Sequence, residues 1–182
     1  VGYLKDNDNF GTDIRVSDET DKLLDTGGGI KKAAPLFDSD KPVLIHNVDI
    51  LSNVDLAHLY AMHGDSAATL VVSSRKTKRY LLFDDDMRLK GWTNIETGEV
   101  RSPYPDLNVA DCRMLAFSGI HVISPSMFGL MDEFPDKFGI IDFYLKVCDK
   151  VVIKGYDKTD LRLMDVGKLD TLAEAENFIN QL

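Results

Sequence analysis

Pro42-Val43-Leu44-Ile45-His46-Asn47-Val48-Asp49 is a continuous apolar run that turns polar only at its end. A strand buried on both faces of a parallel sheet has this pattern, because neither face meets water until the strand leaves the sheet. A helix is predicted next, Val54 to Met62, with Leu56, Leu59 and Tyr60 on one side. Ala67 to Ser73 is a second buried strand. Strand, helix, strand at this spacing predicts an α/β domain.

Working outward, Asp13 to Ser17 alternates as a short strand, and Asp25-Thr-Gly-Gly-Gly-Ile30 opens a short helix. Asp25 or Thr26 caps that helix, and Pro35 stops it. Residues 79–101 change character. Tyr80 to Phe83, Leu89 to Trp92 and Glu99-Val100 are short strands separated by Asp84-Asp85-Asp86 and Thr97-Gly98, an antiparallel meander. Arg113 to Ser124 is a long alternating strand. Helices are predicted at Ser126 to Phe134 and Ile140 to Asp149, and strands at Val151 to Ile153 and Leu161 to Val166. Thr171-Leu-Ala-Glu174 is a capping box for a last helix, with Leu172, Ile179 and Leu182 facing inward. The fold expected is a single Rossmann-like α/β/α domain over residues 1–182, with a mainly parallel sheet and an antiparallel insertion at about 79–101.

The 182 residues carry 21 Lys and Arg against 30 Asp and Glu, a formal net charge of −9. That balance argues against nucleic acid or an anionic membrane surface as the partner. It leaves small phosphorylated ligands open, since they need only local donors. No apolar run approaches the ~20 residues of a membrane span. Cys112 and Cys148 form no metal or disulfide pattern, which reads as a reducing cytoplasm. The chain opens without Met at what reads as the last turn of a helix, Val1 to Leu4, ended by Asn7 to Gly11. A chain that begins at the end of a helix is expected to have lost what came before it.

Ligands of open α/β sheets bind beyond the carboxyl ends of strands. Asp49 ends one strand, with Asn47 two residues before it, and Asp165 ends another before Val166-Gly167. Either Asp alone reads more readily as a turn or cap residue than as an oxygen ligand; two of them in one sheet can converge on one divalent cation, which brings the two readings level. Thr26-Gly-Gly-Gly29 reads either as a flexible turn or as a place where backbone closely approaches a nucleotide. It matches neither the dinucleotide fingerprint nor a P-loop. Ser118-Gly119 puts a glycine inside a strand, a mark of close approach by ligand or backbone. Trp92 suits sugar stacking or the core of the meander, and Asp142 a helix N-cap. The four histidines form no metal box.

Four of these motifs stand in one order: Asp25-Thr-Gly-Gly-Gly-Ile30, Ile45-His-Asn-Val-Asp49, Leu115-Ala-Phe-Ser-Gly-Ile120 and Met164-Asp-Val-Gly167, with Leu172-Ala-Glu-Ala-Glu176 behind them. In this the chain resembles the sugar-phosphate nucleotidyltransferases, and among them N-acetylmuramic acid 1-phosphate uridylyltransferases and mannose-1-phosphate guanylyltransferase-like proteins. The resemblance implies an enzyme that makes a nucleotide-sugar and pyrophosphate from a nucleoside triphosphate, UTP or GTP, and a sugar 1-phosphate. It implies Mg²⁺ held by Asp49 and Asp165 as the catalytic pair. Thr26, Gly27, Gly28 and Asn47 would face the nucleotide, and Ser118 and Gly119 the sugar. The product would feed cell-wall or polysaccharide synthesis.

The departures are the absence of the family's glycine-rich, arginine-ended loop with its first βαβ unit, Val48 in place of Gly or Ser, Gly139 where some relatives carry Glu, and Leu163 in place of an aromatic. The 182 residues alone are expected to be inactive, and an exposed sheet edge would favour a homo-oligomer. A non-catalytic module binding nucleotide-sugars through the same fold is the alternative.

Overall fold

The computed structural model describes residues 1–167 and 172–181. Short helices α1 (Gly2–Asp6) and α2 (Asp25–Ala33) precede strands β1 (Val43–His46) and β2 (Ile50–Ser52). Helix α3 (Leu56–Met62) leads to β3 (Ala68–Ser73), and the meander is β4 (Arg79–Phe83), β5 (Leu89–Asn94) and β6 (Glu99–Arg101). The long β7 (Arg113–Ile123), helices α4 (Ser126–Met131) and α5 (Ile140–Val147), strands β8 (Ile153–Asp157) and β9 (Leu163–Asp165), and α6 (Leu172–Ile179) complete it.

β3 is the centre because all six of its residues are buried. Its side chains alternate between two cores. Ala68, Leu70 and Val72 pack with Met127, Met131, Phe143 and Tyr144 of α4 and α5, whereas Val71 packs with Leu59 of α3. Helices on both faces of one sheet give the Rossmann-like three-layer α/β/α arrangement.

The order across the main sheet is β6-β5-β4-β7-β3-β8, with β1 also on β7. Strands β1, β3, β4, β6 and β8 point one way, and β5 and β7 the other. Most strands thus share a direction, as expected of the class. The adjacent pairings refine this: only β3–β8 is a parallel ladder, because β7 runs antiparallel against β1, β3 and β4. The meander is the expected antiparallel insertion, and it continues the main sheet through β4.

Several expectations need correction. Residues 13–17 form no strand; Ile14 and Val16 stay exposed, and no ladder partner engages them among the described residues. The run from Pro42 breaks in two, and β1 is half-buried, not enclosed. A turn at Asn47 redirects the chain, so Ile50–Ser52 pairs with Leu163–Asp165 as a separate two-stranded sheet. On α3 only Leu59 is buried, while Leu56 and Tyr60 are exposed. Ile179 is exposed rather than inward. Thr171, Leu182 and the side chain of Leu172 lie outside the described residues, and with them the capping box.

Candidate active site

The β2–β9 ladder brings two distant sequence motifs together. Ile50 stands opposite Asp165, and the Val166 N–H donates to the Asp49 carbonyl at 2.8 Å. Asp49 and Asp165 therefore stand at the same end of this two-stranded ladder. A Cβ at Gly167 would lie 3.1 Å from Oδ2 of Asp49 and 3.1 Å from Oδ1 of Asp165, so those oxygens are no further apart than twice that distance. The Gly167 N–H donates to Oδ1 of Asp165 at 2.9 Å. No third His, Cys, Asp or Glu joins them in a metal-holding group among the described residues. That donor set suits Mg²⁺, which takes one or two carboxylates and fills its remaining positions with water and phosphate oxygens. The absent Cβ at Gly167 keeps the space between the carboxylates clear.

Asn47 and Gly119 are locked together beside this pair. The Asn47 N–H donates to the Gly119 carbonyl at 3.1 Å. Gly119 has φ +79°, and a Cβ there would come 2.7 Å from the Asn47 amide nitrogen. The cause is a bulge in β7, where the register against β3 shifts between Leu70 and Val72. Ser118 fills the gap in the ladder: its buried hydroxyl donates to the Val71 carbonyl at 2.9 Å. Its hydroxyl is thus committed to the bulge, and Ser118 shapes Gly119 from behind.

The glycines of α2 have a structural task that differs from the expectation. The N–H groups of Gly27 and Gly28 both donate to the Phe138 carbonyl, at 2.9 and 3.2 Å. A Cβ at Gly27 would strike the Phe138 ring at 2.4 Å, and one at Gly28 the Asp136 carbonyl oxygen at 2.0 Å. Both residues are buried against this segment, so their close approach is to backbone 136–138. Thr26 caps another helix, not its own. Its hydroxyl accepts from the Ile140 N–H, the first of α5, at 3.1 Å, while Leu24 is the N-cap of α2. Asp142 is likewise no N-cap; Gly139 takes that place, and Asp142 pairs with Arg101 at 2.6 Å.

A cavity of about 370 Å³ opens between these pieces, lined by Thr26, Ile45, Asn47, Phe117, His121 and Ile141 among others. Burial pushes His121 down to about 3, so it is neutral, and Nδ1 is hydrogen-bonded to the Tyr144 hydroxyl at 2.6 Å. Val48, at 99% exposure, projects from the turn between Asn47 and Asp49. Trp92 is buried in the meander, with the Arg101 guanidinium 4.2 Å over its ring. Phe117 and Ile141 were not singled out from the sequence, because a lone apolar residue at a cavity wall has the pattern of core. The arginines near Trp92 carried a signal that the sequence reading left unused: Arg75-Lys-Thr-Lys-Arg79 is a basic run in an acidic chain.

No family model matches the sequence, and no curated protein does. Solved structures share its fold. HddC from Yersinia pseudotuberculosis, complexed with GMP-PN, is 19% identical, with 97% of this chain and 74% of that one aligned and a TM-score of 0.64. The inositol-1-phosphate CTP transferase from T. maritima is 12% identical over 98% of this chain and 71% of that one, TM-score 0.71. A putative glucose-1-phosphate thymidylyltransferase from Bacillus anthracis is 12% identical over 100% of this chain and 71% of that one, TM-score 0.68. The chain has the Rossmann-like fold of these nucleotidyltransferases.

Proposed function

We propose that the protein is a sugar-1-phosphate nucleotidyltransferase. The observation that carries this reading is the meeting of Asp49 and Asp165 across the β2–β9 ladder, around a glycine that leaves room between them. The fold shared with the HddC, inositol-1-phosphate CTP transferase and thymidylyltransferase structures supports it. In the reaction an oxygen of the sugar 1-phosphate attacks the α-phosphorus of the nucleoside triphosphate, and the bond to the β-phosphate breaks to release pyrophosphate. Catalysis of this kind is mostly positioning and electrostatics.

Asp49 and Asp165 would hold Mg²⁺, which supplies charge neutralisation for the phosphates. Thr26 and Asn47 face the cavity and would meet the nucleotide. Gly27 and Gly28 would act one layer behind, by letting α2 lie against residues 136–138. Gly119, held by Ser118, would line the sugar side. UTP with an amino-sugar phosphate, the substrate class of the N-acetylmuramic acid 1-phosphate uridylyltransferases, is the first choice. GTP with mannose or heptose phosphate stands second, in keeping with the GMP-PN of the HddC neighbour. The reaction would take place in the cytoplasm; no described helix is long and apolar enough to cross a membrane.

Pyrophosphate release by the full-length gene product, over a grid of nucleoside triphosphates and sugar 1-phosphates with Mg²⁺, tests the reading. Release with one pair, lost in Asp49→Ala, is the expected result. Silence across the grid from folded protein would overturn the catalytic reading, and Mg²⁺-independent nucleotide-sugar binding would then assign a binding module.

A further inference from the structure

His121 is 1% exposed and lines the 370 Å³ cavity, where Ile45 of β1 stands opposite it in the ladder. The Phe117 ring meets its imidazole edge-on at 5.5 Å, and Nδ1 is turned inward to the Tyr144 hydroxyl at 2.6 Å. Among the described residues nothing bonds Nε2. The side-chain atoms sealed in the core without a hydrogen-bond partner belong to Ser17, Ser73, Arg101 and Asp157, not to His121, so Nε2 opens on the cavity.

The direction of the Tyr144 bond decides what Nε2 offers. Tyr144 is fully buried, and its hydroxyl has no other partner among the described residues. Were Nδ1 to donate to it, the phenolic proton would be left in the core with no acceptor, the costly arrangement. The hydroxyl therefore donates, Nδ1 accepts, and the single proton of the neutral ring sits on Nε2. Burial keeps both groups uncharged, lowering the pKa of the imidazole and raising that of the phenol. His121 thus presents a fixed N–H that donates and cannot accept. The cavity around it is lined by Glu19 and Asp25 but by no Lys or Arg; Lys137, 3.8 Å from Asp25, is not part of the lining. Two carboxylates repel a phosphate, and Ile30, Ile45 and Phe117 give apolar walls, so the part of a substrate that fits here is uncharged.

We infer that His121 is a specificity-determining residue and Tyr144 the positioning residue behind it: the Nε2–H donates to a carbonyl oxygen of the substrate and rejects an analogue that turns an amino group to the same point. A carbonyl oxygen answers such a donor without bringing a proton of its own to place. An amino group would set N–H against N–H and leave the imidazole donor unpaired between apolar walls. This rests on the nucleotidyltransferase reading of the cavity and adds the atom that reads the substrate. A keto oxygen of the base and the acyl oxygen of an acylated amino sugar share the chemistry, and the choice of ligands separates them.

Nitrogen NMR of the histidine-labelled chain reads the tautomer directly. The His121 proton is expected on Nε2; in Tyr144→Phe, which keeps the ring and removes the phenolic donor, it should be shared between the two nitrogens. A proton on Nδ1 in the parent overturns the inference. Calorimetric titration then compares uridine with cytidine 5′-monophosphate, which differ in a keto or amino group on the base, and N-acetylglucosamine 1-phosphate with glucose 1-phosphate, which lacks the acyl carbonyl. In one of the two pairs the carbonyl-bearing member should bind about tenfold tighter, the worth of one such hydrogen bond. The preference should shrink in Tyr144→Phe and vanish in the double variant His121→Phe/Tyr144→Phe, which leaves no buried hydroxyl unpaired and so should fold as the parent does. Equal binding within both pairs, or a preference that survives the double variant, overturns the role of His121 and leaves the nucleotidyltransferase reading standing. Failure of all four ligands to bind overturns the inference as well, and pyrophosphate release by the full-length gene product then decides that reading separately.

Discussion

Asp49 and Asp165 aim carboxylate oxygens at one point, each 3.1 Å from where a Cβ on residue 167 would stand. Two like charges placed this close cost stability, so their juxtaposition is a debt that a cation would settle. Asp165→Asn should leave the melting temperature unchanged or raise it by about a degree, since surface repulsions are worth only tenths of a kcal/mol. The same change should abolish the Mg²⁺ dependence of nucleotide binding. A clear drop in melting temperature would show that Asp165 serves structure instead.

Gly167→Ala probes the same point from the backbone. Its methyl group would enter the gap between the carboxylates, in an exposed turn where nothing else is crowded. Mg²⁺-dependent nucleotide binding should weaken by about tenfold, the usual scale for disturbing the surroundings of a metal site. Thermal stability should hold. Unchanged binding by calorimetry would remove the pair as a cation site.

Gly28→Ala and Gly29→Ala should differ sharply although the residues are neighbours. The first drives a Cβ to 2.0 Å from the Asp136 carbonyl oxygen, which cannot move without its backbone. A loss of about 3 kcal/mol follows, on the scale of severe overpacking. The second meets only Oε1 of Glu19 at 2.6 Å, the end of a flexible side chain. Its cost should stay within about 1 kcal/mol, offset by alanine's helix preference. Equal effects in denaturant unfolding would refute the close packing of α2 on residues 136–138.

Ser118→Ala removes the hydroxyl that donates to the Val71 carbonyl inside the bulge. A buried acceptor left unpaired should cost about 1–2 kcal/mol. If Ser118 acts only from behind Gly119, sugar affinity should fall no more than stability does. A large loss of sugar binding with stability intact would give Ser118 a direct contact.

His121 fixes the acid limit. Burial holds its pKa near 3 in the folded protein, far below the ordinary 6.5. The unfolded chain therefore binds the extra proton first, so stability is complete above about pH 6.5 and falls as pH drops toward 3, by about 3 kcal/mol at pH 4. His63, lowered by burial too, adds to the same trend. Two hydroxyls orient its neutral ring: Ser124 Oγ gives its proton to the Ser66 carbonyl at 2.8 Å and so accepts from Nε2 at 2.9 Å, leaving Nδ1 to accept from Thr69 at 2.8 Å. Unfolding free energies measured from pH 7 to 4 should show the slope, and His121→Asn should flatten it. A pH-independent stability would contradict the buried, neutral imidazole.

The order of strands and helices was legible from residue 42 onward because apolar periodicity is a local property. Leu70, Val71 and Val72 had to be buried wherever the chain placed them. The turn residues of 84–86 and 97–98 likewise announced the meander without knowledge of its neighbours. Misreadings cluster where burial depends on a partner. Ile14 and Val16 alternate as a strand should, yet they meet no ladder, and the run through Asp49 is broken by a turn that only the Gly119 carbonyl explains.

The candidate site divides the same way. The sequence by itself determined the chemical types: the two carboxylates of Asp49 and Asp165, glycines where a side chain would not fit, a fold with helices on both faces. Only the tertiary structure decided which partner each would meet. It set Asp49 beside Asp165 through a ladder between residues 50–52 and 163–165. It turned Gly27 and Gly28 toward Phe138 and Asp136, gave Thr26 to the first N–H of α5, and collected Arg75, Arg79 and Arg101 around one cavity. The physical reason is range. Residue type and local pattern fix what a side chain can do, whereas what it touches depends on register and packing between segments a hundred residues apart.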